Sequence, residues 1–172
     1  MHALSSMSIW DSIQASTVGD TIAESTWMFP TLETIHVIAL VTVVGTISIM
    51  DFRMIGVASR DVAITQVSKD TLPYTWAAFV LAAITGTLLF TSKAHDYVNN
   101  PYFLFKLVFM ALAGLNMMYF HFFTYRTVEH WDRDPSVPGA VRLSGFLSLA
   151  FWLAVVFCGR LIGFTLSQFA AQ

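Results

Sequence analysis

The chain has 172 residues, of which 56% are hydrophobic and only 12% charged. Ordinary soluble domains carry about 25% charged residues, so this composition excludes a typical soluble domain and indicates a membrane protein. The formal net charge of -2 offers no basic surface for nucleic acid. A single cysteine, Cys158, excludes an internal disulfide framework and any CxxC motif.

The first 30 residues form a polar N-terminal segment without Lys or Arg. Ile9, Trp10 and Ile13 recur at helical spacing, and Ser8 and Asp11 stand where helix caps are expected. This pattern predicts a short amphipathic helix that lies on the membrane surface, and the alternative is a partly disordered tail. The segment lacks the basic and continuous apolar regions of a secretory signal, so we do not expect a targeting role.

Four apolar runs follow, each close to the roughly 20 residues needed to cross a bilayer core. We predict spans over about residues 32–50, 73–90, 102–123 and 140–166, within a single bundle of residues 31–168. Pro73 is expected in the first turn of the second span, where its missing N–H costs nothing. The predicted fold class is therefore all-α, an integral membrane four-helix bundle with a short N-terminal interfacial helix.

The first span carries a stripe of residues that is expected to face the protein interior. Glu33, His36, Val43 and Asp51 fall on one broad side of a helical wheel, with polar groups only toward its ends. Because no ionisable side chain bridges the middle, continuous proton conduction is not expected. Asp51 and Arg53 are interpreted as an ion pair that anchors the end of the helix.

The loop charges predict an orientation in the membrane. Six basic residues lie in or beside the first and third loops, against one in the second loop: Arg53, Arg60, Lys69, Arg126, Arg133 and Arg142, against Lys93. Cytoplasmic loops are enriched in Lys and Arg. Loops 1 and 3 are therefore predicted to be cytoplasmic and both termini to lie outside, which in a bacterial inner membrane means the periplasm.

Several polar side chains are predicted at one depth near the outer face. At about 1.5 Å of rise per residue, His36 lies ~9 Å from the mid-plane, and Lys106 and Arg160 enter the bilayer at a similar level. His95 lies in the outer loop. Gly86 and Gly159 are also near this level, where glycine allows the close approach of a backbone or a flat ligand.

Two interpretations of this outer cluster remain open. In the first, it is a haem b site: His36 ligates the iron, His95 is the candidate second ligand, and Arg160 and Lys106 neutralise the propionates. In the second, the residues form a cofactor-free polar network in which His36 bonds a neighbouring carbonyl or hydroxyl group and Arg160 pairs with Glu33.

A further histidine lies toward the inner face. His121 is ~12 Å from the mid-plane on the cytoplasmic side, so it cannot share one metal with His36, about 20 Å away in depth. A second haem at His121 would need a partner from His130, Met50, Met54 or Met117. The alternative is a solvated histidine at the interface. The sequence therefore predicts one haem, or two with one in each leaflet.

Two segments, HVIALVTVVGTISIMDFRMIG and NNPYFLFKLVFMALAGLNMMYFH, resemble a family of small four-span bacterial membrane proteins known as a domain of unknown function. The matching positions are His36, Gly45, Asp51, Arg53, Gly56, Asn100, Pro101, Phe103, Lys106, Gly114, Asn116 and His121. The resemblance covers about residues 27–166 and implies a fold but no catalytic residues. Span 3 is also similar to copper-resistance membrane proteins, and the layout is similar in style to dihaem b-type cytochromes.

The leading functional prediction is an inner-membrane b-type haem protein that links a dehydrogenase to quinone or another carrier. Such a protein would be an electron-transfer subunit more than a complete enzyme, and it would act as a homo-oligomer or with other membrane subunits. One alternative is a cofactor-free structural or assembly subunit. The other is a small copper-handling or transport protein, although only Met117, Met118 and His121 cluster among the possible copper ligands.

Overall fold

The computed structural model describes residues 8–132, 134 and 137–169, with side chains as far as residue 166. Arg133, one of the basic residues used to predict orientation, lies outside the described residues. All regular structure in these ranges is helical: α1 (Ile9–Gln14), α2 (Thr17–Glu24), α3 (Met28–Ile55), α4 (Ile64–Ser92), α5 (Ala94–Asn99), α6 (Pro101–Tyr119) and α7 (Gly139–Phe169). A π-helical turn (Phe120–Thr124) and a 3₁₀ helix (Tyr125–His130) extend α6.

Four of these helical segments have the length and apolar composition needed to cross a membrane. They are Met28–Ile55, Ile64–Ser92, Pro101–His130 and Gly139–Leu166. The predicted all-α fold with four spans is therefore confirmed. The first three segments are longer than their predicted spans because each continues beyond its apolar run into flanking polar sequence, where hydropathy gives no signal for the helix end. The fourth, predicted over about residues 140–166, agrees with Gly139–Leu166.

The second span begins earlier than predicted. Pro73 was expected in the first turn, but this prediction was wrong, because α4 begins at Ile64 and Pro73 lies inside it. The carboxylate of Asp132 accepts hydrogen bonds from the Thr65 backbone N–H at 2.8 Å and from the Thr65 hydroxyl at 2.6 Å. This cap comes from a residue far away in the chain, so no local pattern predicts it.

The N-terminal segment forms two short helices instead of one. Ser8 and Asp11 make a reciprocal capping box at the start of α1, as their positions predicted, and Ser16 caps α2 by accepting from the Gly19 N–H. Helix α2 packs against α4, and α1 packs against α5. The Trp10 ring meets Phe90 edge-on, with centroids 6.0 Å apart. The segment therefore covers one end of the bundle, which we call the α5 end.

The four spans pack in the order α4, α3, α7, α6. Helix α3 packs against both α4 and α7, and α6 packs against α7. The backbones of α4 and α6 are not packed against each other along their described residues, although the Phe90 and Phe103 rings stack between them at the α5 end, with centroids 5.6 Å apart. A mid-membrane core of Val43, Ala78, Ala113, Trp152 and Val155 joins the helices.

At the end of the bundle opposite the α5 end, Arg53 joins two loops through hydrogen bonds. Its Nε donates to the Val62 carbonyl at 2.6 Å and its Nη2 to the Asp132 carbonyl at 3.2 Å, and the side chain is 0% exposed. We call this end the clamp end.

The predicted Asp51–Arg53 ion pair was wrong, because the only ion pair among the described residues joins His95 and Asp96. Residues two apart on a helix point in different directions, which separates the two side chains.

Tyr97 belongs to an aromatic cluster at the α5 end. Its ring lies 6.1 Å from the Phe90 centroid and 5.3 Å from the Phe103 centroid. Burial, helped by the negative charges of Glu33 and Asp96, raises the pKa of Tyr97 to about 12. The neutral phenol is therefore the form that the folded state favours.

We expect the phenol absorbance of the native protein to show a late titration phase near the raised pKa of Tyr97. The folded-state pKa lies above the unfolded value of about 10. The stabilisation is therefore complete below pH 10 or so and is lost as pH rises through about 12. Tyr97→Phe should remove the late phase, whereas Tyr119→Phe should leave it in place. Persistence of the phase in Tyr97→Phe would contradict this assignment.

Candidate functional site

Two groups of polar side chains lie between the spans, one toward each end of the bundle. The first group contains the side chains of His36, Thr85 and Lys106. Together with two glycines that lie beside them, Gly86 and Gly159, we call it the His36 layer. The second lines a cleft near the clamp end. The mid-membrane core separates the two groups, since Val43 and its neighbours lie between them along α3.

The His36 ring is held in the interface between α3 and α4. Its Nδ1 lies 3.0 Å from the hydroxyl oxygen of Thr85. That hydroxyl also lies 2.8 Å from the Leu81 carbonyl of its own helix. When it donates its proton to that carbonyl, it accepts from His36, and in this tautomer of the neutral ring Nδ1 carries the hydrogen and Nε2 keeps its lone pair.

Gly86 leaves the space that the imidazole occupies. A Cβ at this position would lie 2.9 Å from Cε1 of His36, closer than carbon atoms approach. The sequence predicted that a backbone or a flat ligand would approach the glycines of this layer. At Gly86, the flat group that approaches is the ring of His36.

Lys106 reaches the same layer from α6. Its ammonium is close enough to His36 for their charges to interact, and its Nζ lies 3.9 Å from where a Cβ of Gly159 would stand. Lys106 has no acidic partner among the described ion pairs. A lysine at membrane depth without a counter-charge is costly, so an anionic group in this layer would be stabilised.

Two other residues predicted in this cluster make contacts elsewhere. The His95 side chain lies beside Asn99 and Asp96 at the α5 end, and its backbone N–H donates to Gln14. The guanidinium of Arg160 lies 4.5 Å from the centroid of the Phe164 ring on an exposed part of α7. Of the cofactor-free alternative, the pairing of Arg160 with Glu33 does not occur among the described ion pairs, whereas the bond of His36 to a neighbouring hydroxyl group does occur, at Thr85.

His121 lies in the π-helical turn after α6. Its Nδ1 is 3.2 Å from the Met117 carbonyl, and its ring stacks on Tyr125 with centroids 5.5 Å apart. Because a carbonyl only accepts, Nδ1 carries the hydrogen and Nε2 is an acceptor in the neutral ring. Among the described residues, no three His, Cys, Asp or Glu side chains are grouped as metal ligands.

The cleft near the clamp end was not predicted as a site. It has a volume of about 550 Å³ and is lined by residues of all four spans. Asp51 lies in the wall of this cleft and is 3% exposed. The Ser148 hydroxyl is within hydrogen-bonding reach of the Asp51 carboxyl group. The Oδ2 atom of Asp51 has no hydrogen-bond partner among the described residues. Also in the cleft lining, Asn116 and Ser144 join α6 to α7 through two hydrogen bonds of 2.9 and 3.1 Å.

The stripe on α3 was the sequence signal for this cleft. It correctly placed Val43 and Asp51 on the interior face, where both are buried, but it was wrong for Glu33, which is exposed. The sequence pattern favours an ion pair of Asp51 with Arg53 and so gives Asp51 a structural role. The i, i+2 spacing of the two residues argues against that pairing.

Four apolar spans with ionisable side chains held between them define a multi-pass helical membrane protein. The chain belongs to a family of unknown function, DUF6644, whose family model matches residues 15–165. No curated protein and no solved structure matches the chain. The predicted membership of a four-span family of unknown function is thus confirmed, and the family assigns no activity.

Proposed function

We propose that this protein is a haem b-binding electron-transfer protein in which His36 ligates the iron. The observation that supports this proposal is the hydrogen bond between Nδ1 of His36 and the Thr85 hydroxyl, because in the tautomer in which Nδ1 donates, Nε2 keeps its lone pair for a metal. Histidines that ligate metals almost always donate their other ring N–H to a neighbouring oxygen. Thr85 provides that oxygen from the adjacent span.

The charge of the His36 layer also fits a haem. Lys106 brings a cation into the same layer as His36 and has no acidic partner among the described ion pairs, so it can neutralise a propionate. A haem needs only one or two axial side chains, so it does not require a cluster of several metal-binding residues. When bound, the haem would supply one-electron redox chemistry.

The protein residues would hold and orient the cofactor. Thr85 fixes the rotation of the His36 ring, and Gly86 leaves room for it. Since His95 and Arg160 make their contacts elsewhere, the proposal uses His36 as the single protein ligand and Lys106 as the single cation. This is a smaller set than the sequence predicted.

We further propose a bacterial inner-membrane location, with both termini in the periplasm and the clamp end in the cytoplasm. The distribution of Lys and Arg between the loops supports this orientation. The partners would be quinone or another carrier and a dehydrogenase. The many exposed apolar side chains on the spans suit lipid and neighbouring subunits, including further copies of this chain.

The proposal is tested by purifying the full-length protein from haem-replete cells and measuring bound haem by the pyridine haemochrome method. We expect a b-type spectrum that is lost in His36→Ala. Thr85→Val removes the oxygen that orients His36 while keeping the side-chain shape, and it should weaken haem binding about 10–100-fold. Lys106→Met should weaken it less, because only a counter-charge is lost.

His130→Ala is the matched control, because His130 is exposed in the 3₁₀ helix at the clamp end. This variant should retain the haem content of the unmodified protein. Colourless protein from haem-replete cells would overturn the proposal and favour a cofactor-free structural subunit. Copper bound in proportion to protein would favour the copper-handling alternative, and equal haem in His36→Ala would exclude His36 as the ligand.

A further inference from the structure

We propose that the cleft between α4 and α6 binds a lipid-soluble quinol, a flat ring with two opposed hydroxyl groups and an apolar tail. The hydroxyl groups would bond to Asp51 on α3 and His121 after α6. Such a ligand would be the carrier partner of the proposed electron-transfer function, but only residues of the cleft would bind it, whether or not the protein binds haem.

The cleft has the size and access that a membrane-dissolved ligand needs. Its volume of about 550 Å³ lies within the range of roughly 300–1,000 Å³ that is usual for small-molecule sites. The backbones of α4 and α6 are not packed against each other, and the Phe90–Phe103 stack that joins these helices lies at the α5 end, so near the clamp end the cleft opens sideways toward lipid. Trp76 on one rim is 50% exposed and Met118 on the other is 51% exposed.

Asp51 points to a ligand with a hydroxyl group. Its carboxyl group is buried in the cleft wall, and Oδ2 has no hydrogen-bond partner among the described residues. An unpaired polar atom at membrane depth costs free energy, because lipid provides no hydrogen bond. A hydroxyl group can donate to a carboxylate or exchange hydrogen bonds with a carboxylic acid, so it satisfies this oxygen in either protonation state.

His121 supplies a second acceptor in the same cleft. Its Nδ1–H is directed to the Met117 carbonyl, so in the neutral ring Nε2 accepts. The two acceptors come from different helices, α3 and the turn after α6, and both line the cleft. A quinol carries two hydroxyl donors on opposite sides of its ring, which matches two acceptors on separate walls.

The remaining walls suit a flat ring and an apolar tail. Aromatic side chains from three helical segments line the cleft: Trp76, Phe79, Phe120, Phe122 and Trp152. Aromatic faces stack on flat rings, and methionines such as Met50 and Met117 adapt to a flexible chain. An organic cation would match Asp51 but would leave the acceptor of His121 without a donor, so we favour the quinol.

The proposal is tested with a decyl-substituted benzoquinol added to the purified full-length protein in nanodiscs. Trp76 and Trp152 line the cleft, so bound quinol should quench tryptophan fluorescence and the quenching should saturate. Asp51→Leu and His121→Phe should each weaken binding about tenfold or more, since each removes one buried hydrogen bond to the ligand. Circular dichroism and size-exclusion chromatography would verify that each variant folds.

Two glycine variants provide a matched pair that does not touch the polar groups. Gly114 lines the cleft and Gly45 lies on an exposed part of α3, and a Cβ at either position would meet no atom within 4 Å. Gly114→Phe should therefore fold but fill the cleft and abolish saturable quenching. Gly45→Phe adds the same side chain on a lipid-facing surface and should leave binding unchanged.

Three results would overturn the proposal. They are non-saturable quenching equal to that of empty nanodiscs, binding unaffected by both Asp51→Leu and Gly114→Phe, and Asp51-dependent binding of tetraphenylphosphonium but not of quinol. The last result would assign the cleft to organic cations. Haem content measured on the same samples separates the two proposals, because colourless protein that binds quinol would refute only the haem site.

Discussion

The Arg53→Leu variant is expected to unfold far more readily than the unmodified protein. Arg53 is fully buried and donates to the carbonyls of Val62 and Asp132, which belong to two different loops. Leucine fills much of the space but donates to neither carbonyl. Hydrogen bonds from a charged group contribute about 1.5–3 kcal/mol each, so we expect a loss of at least 3 kcal/mol or so.

The loss of stability in Arg53→Leu should exceed the contribution of the two hydrogen bonds. Asp132 also caps α4, since its carboxylate accepts twice from Thr65 and its carbonyl accepts from the Ile64 N–H at 3.2 Å. Releasing Asp132 from Arg53 therefore weakens the start of α4 as well. Loss of a helix cap costs about 0.5–2 kcal/mol, and this contribution overlaps with the first because the groups form one network.

The free energy of unfolding would be measured in mixed micelles by titration with a denaturing detergent. Arg142→Leu is the matched control, because Arg142 is exposed near the start of α7. This control should change stability by no more than about 0.5 kcal/mol. If Arg53→Leu and Arg142→Leu unfold at the same detergent fraction, Arg53 does not hold the two loops together.

The second large effect is expected at Gly145, where α7 crosses α3. A Cβ at this position would lie 3.1 Å from the Asp51 carbonyl oxygen and 3.2 Å from both Cβ of Met54 and Cγ1 of Ile55. Small residues allow membrane helices to approach this closely. Gly145→Leu must therefore push the two helices apart, which costs about 1–3 kcal/mol in a well-packed interior.

The same substitution on a lipid-facing part of α7 should not lower the free energy of unfolding. Gly163 is exposed, and a Cβ there would meet nothing within 4 Å. Gly163→Leu should be neutral or stabilising by up to about 1 kcal/mol, because leucine has the higher helix propensity. Detergent-induced unfolding of both variants gives the comparison. A Gly145→Leu variant as stable as Gly163→Leu would show that the crossing is not close-packed.

Gly145→Leu should also change the shape of the cleft and so affect quinol binding. Ser144 and Ser148 line it on either side of Gly145 along α7, and Asp51 faces it from α3. Moving α7 away from α3 should separate Ser148 from Asp51 and weaken quinol binding together with stability. Gly163→Leu should leave quinol binding unchanged.

The limits of sequence-based prediction differ between the two polar groups. The depths of His36 and Lys106 followed from helix rise alone, because each residue's position along its own span is a local property. The hydrogen-bond partner of His36 could not be predicted in this way, because Thr85 belongs to another helix. Which residue of α4 meets His36 depends on how α3 and α4 are rotated against each other. His95 and Arg160 were placed in the cluster by depth, but their side chains make other contacts.

By itself, the sequence determined the four apolar helices, the capping box at Ser8 and the interior stripe of α3, since hydropathy, capping and periodicity act over a few neighbouring residues. Only the tertiary structure decided that α4 starts at Ile64, that Arg53 joins two loops and that Asp51 faces a cleft. Each of these depends on groups brought together from distant parts of the chain. Helix packing, and not local preference, selects such partners.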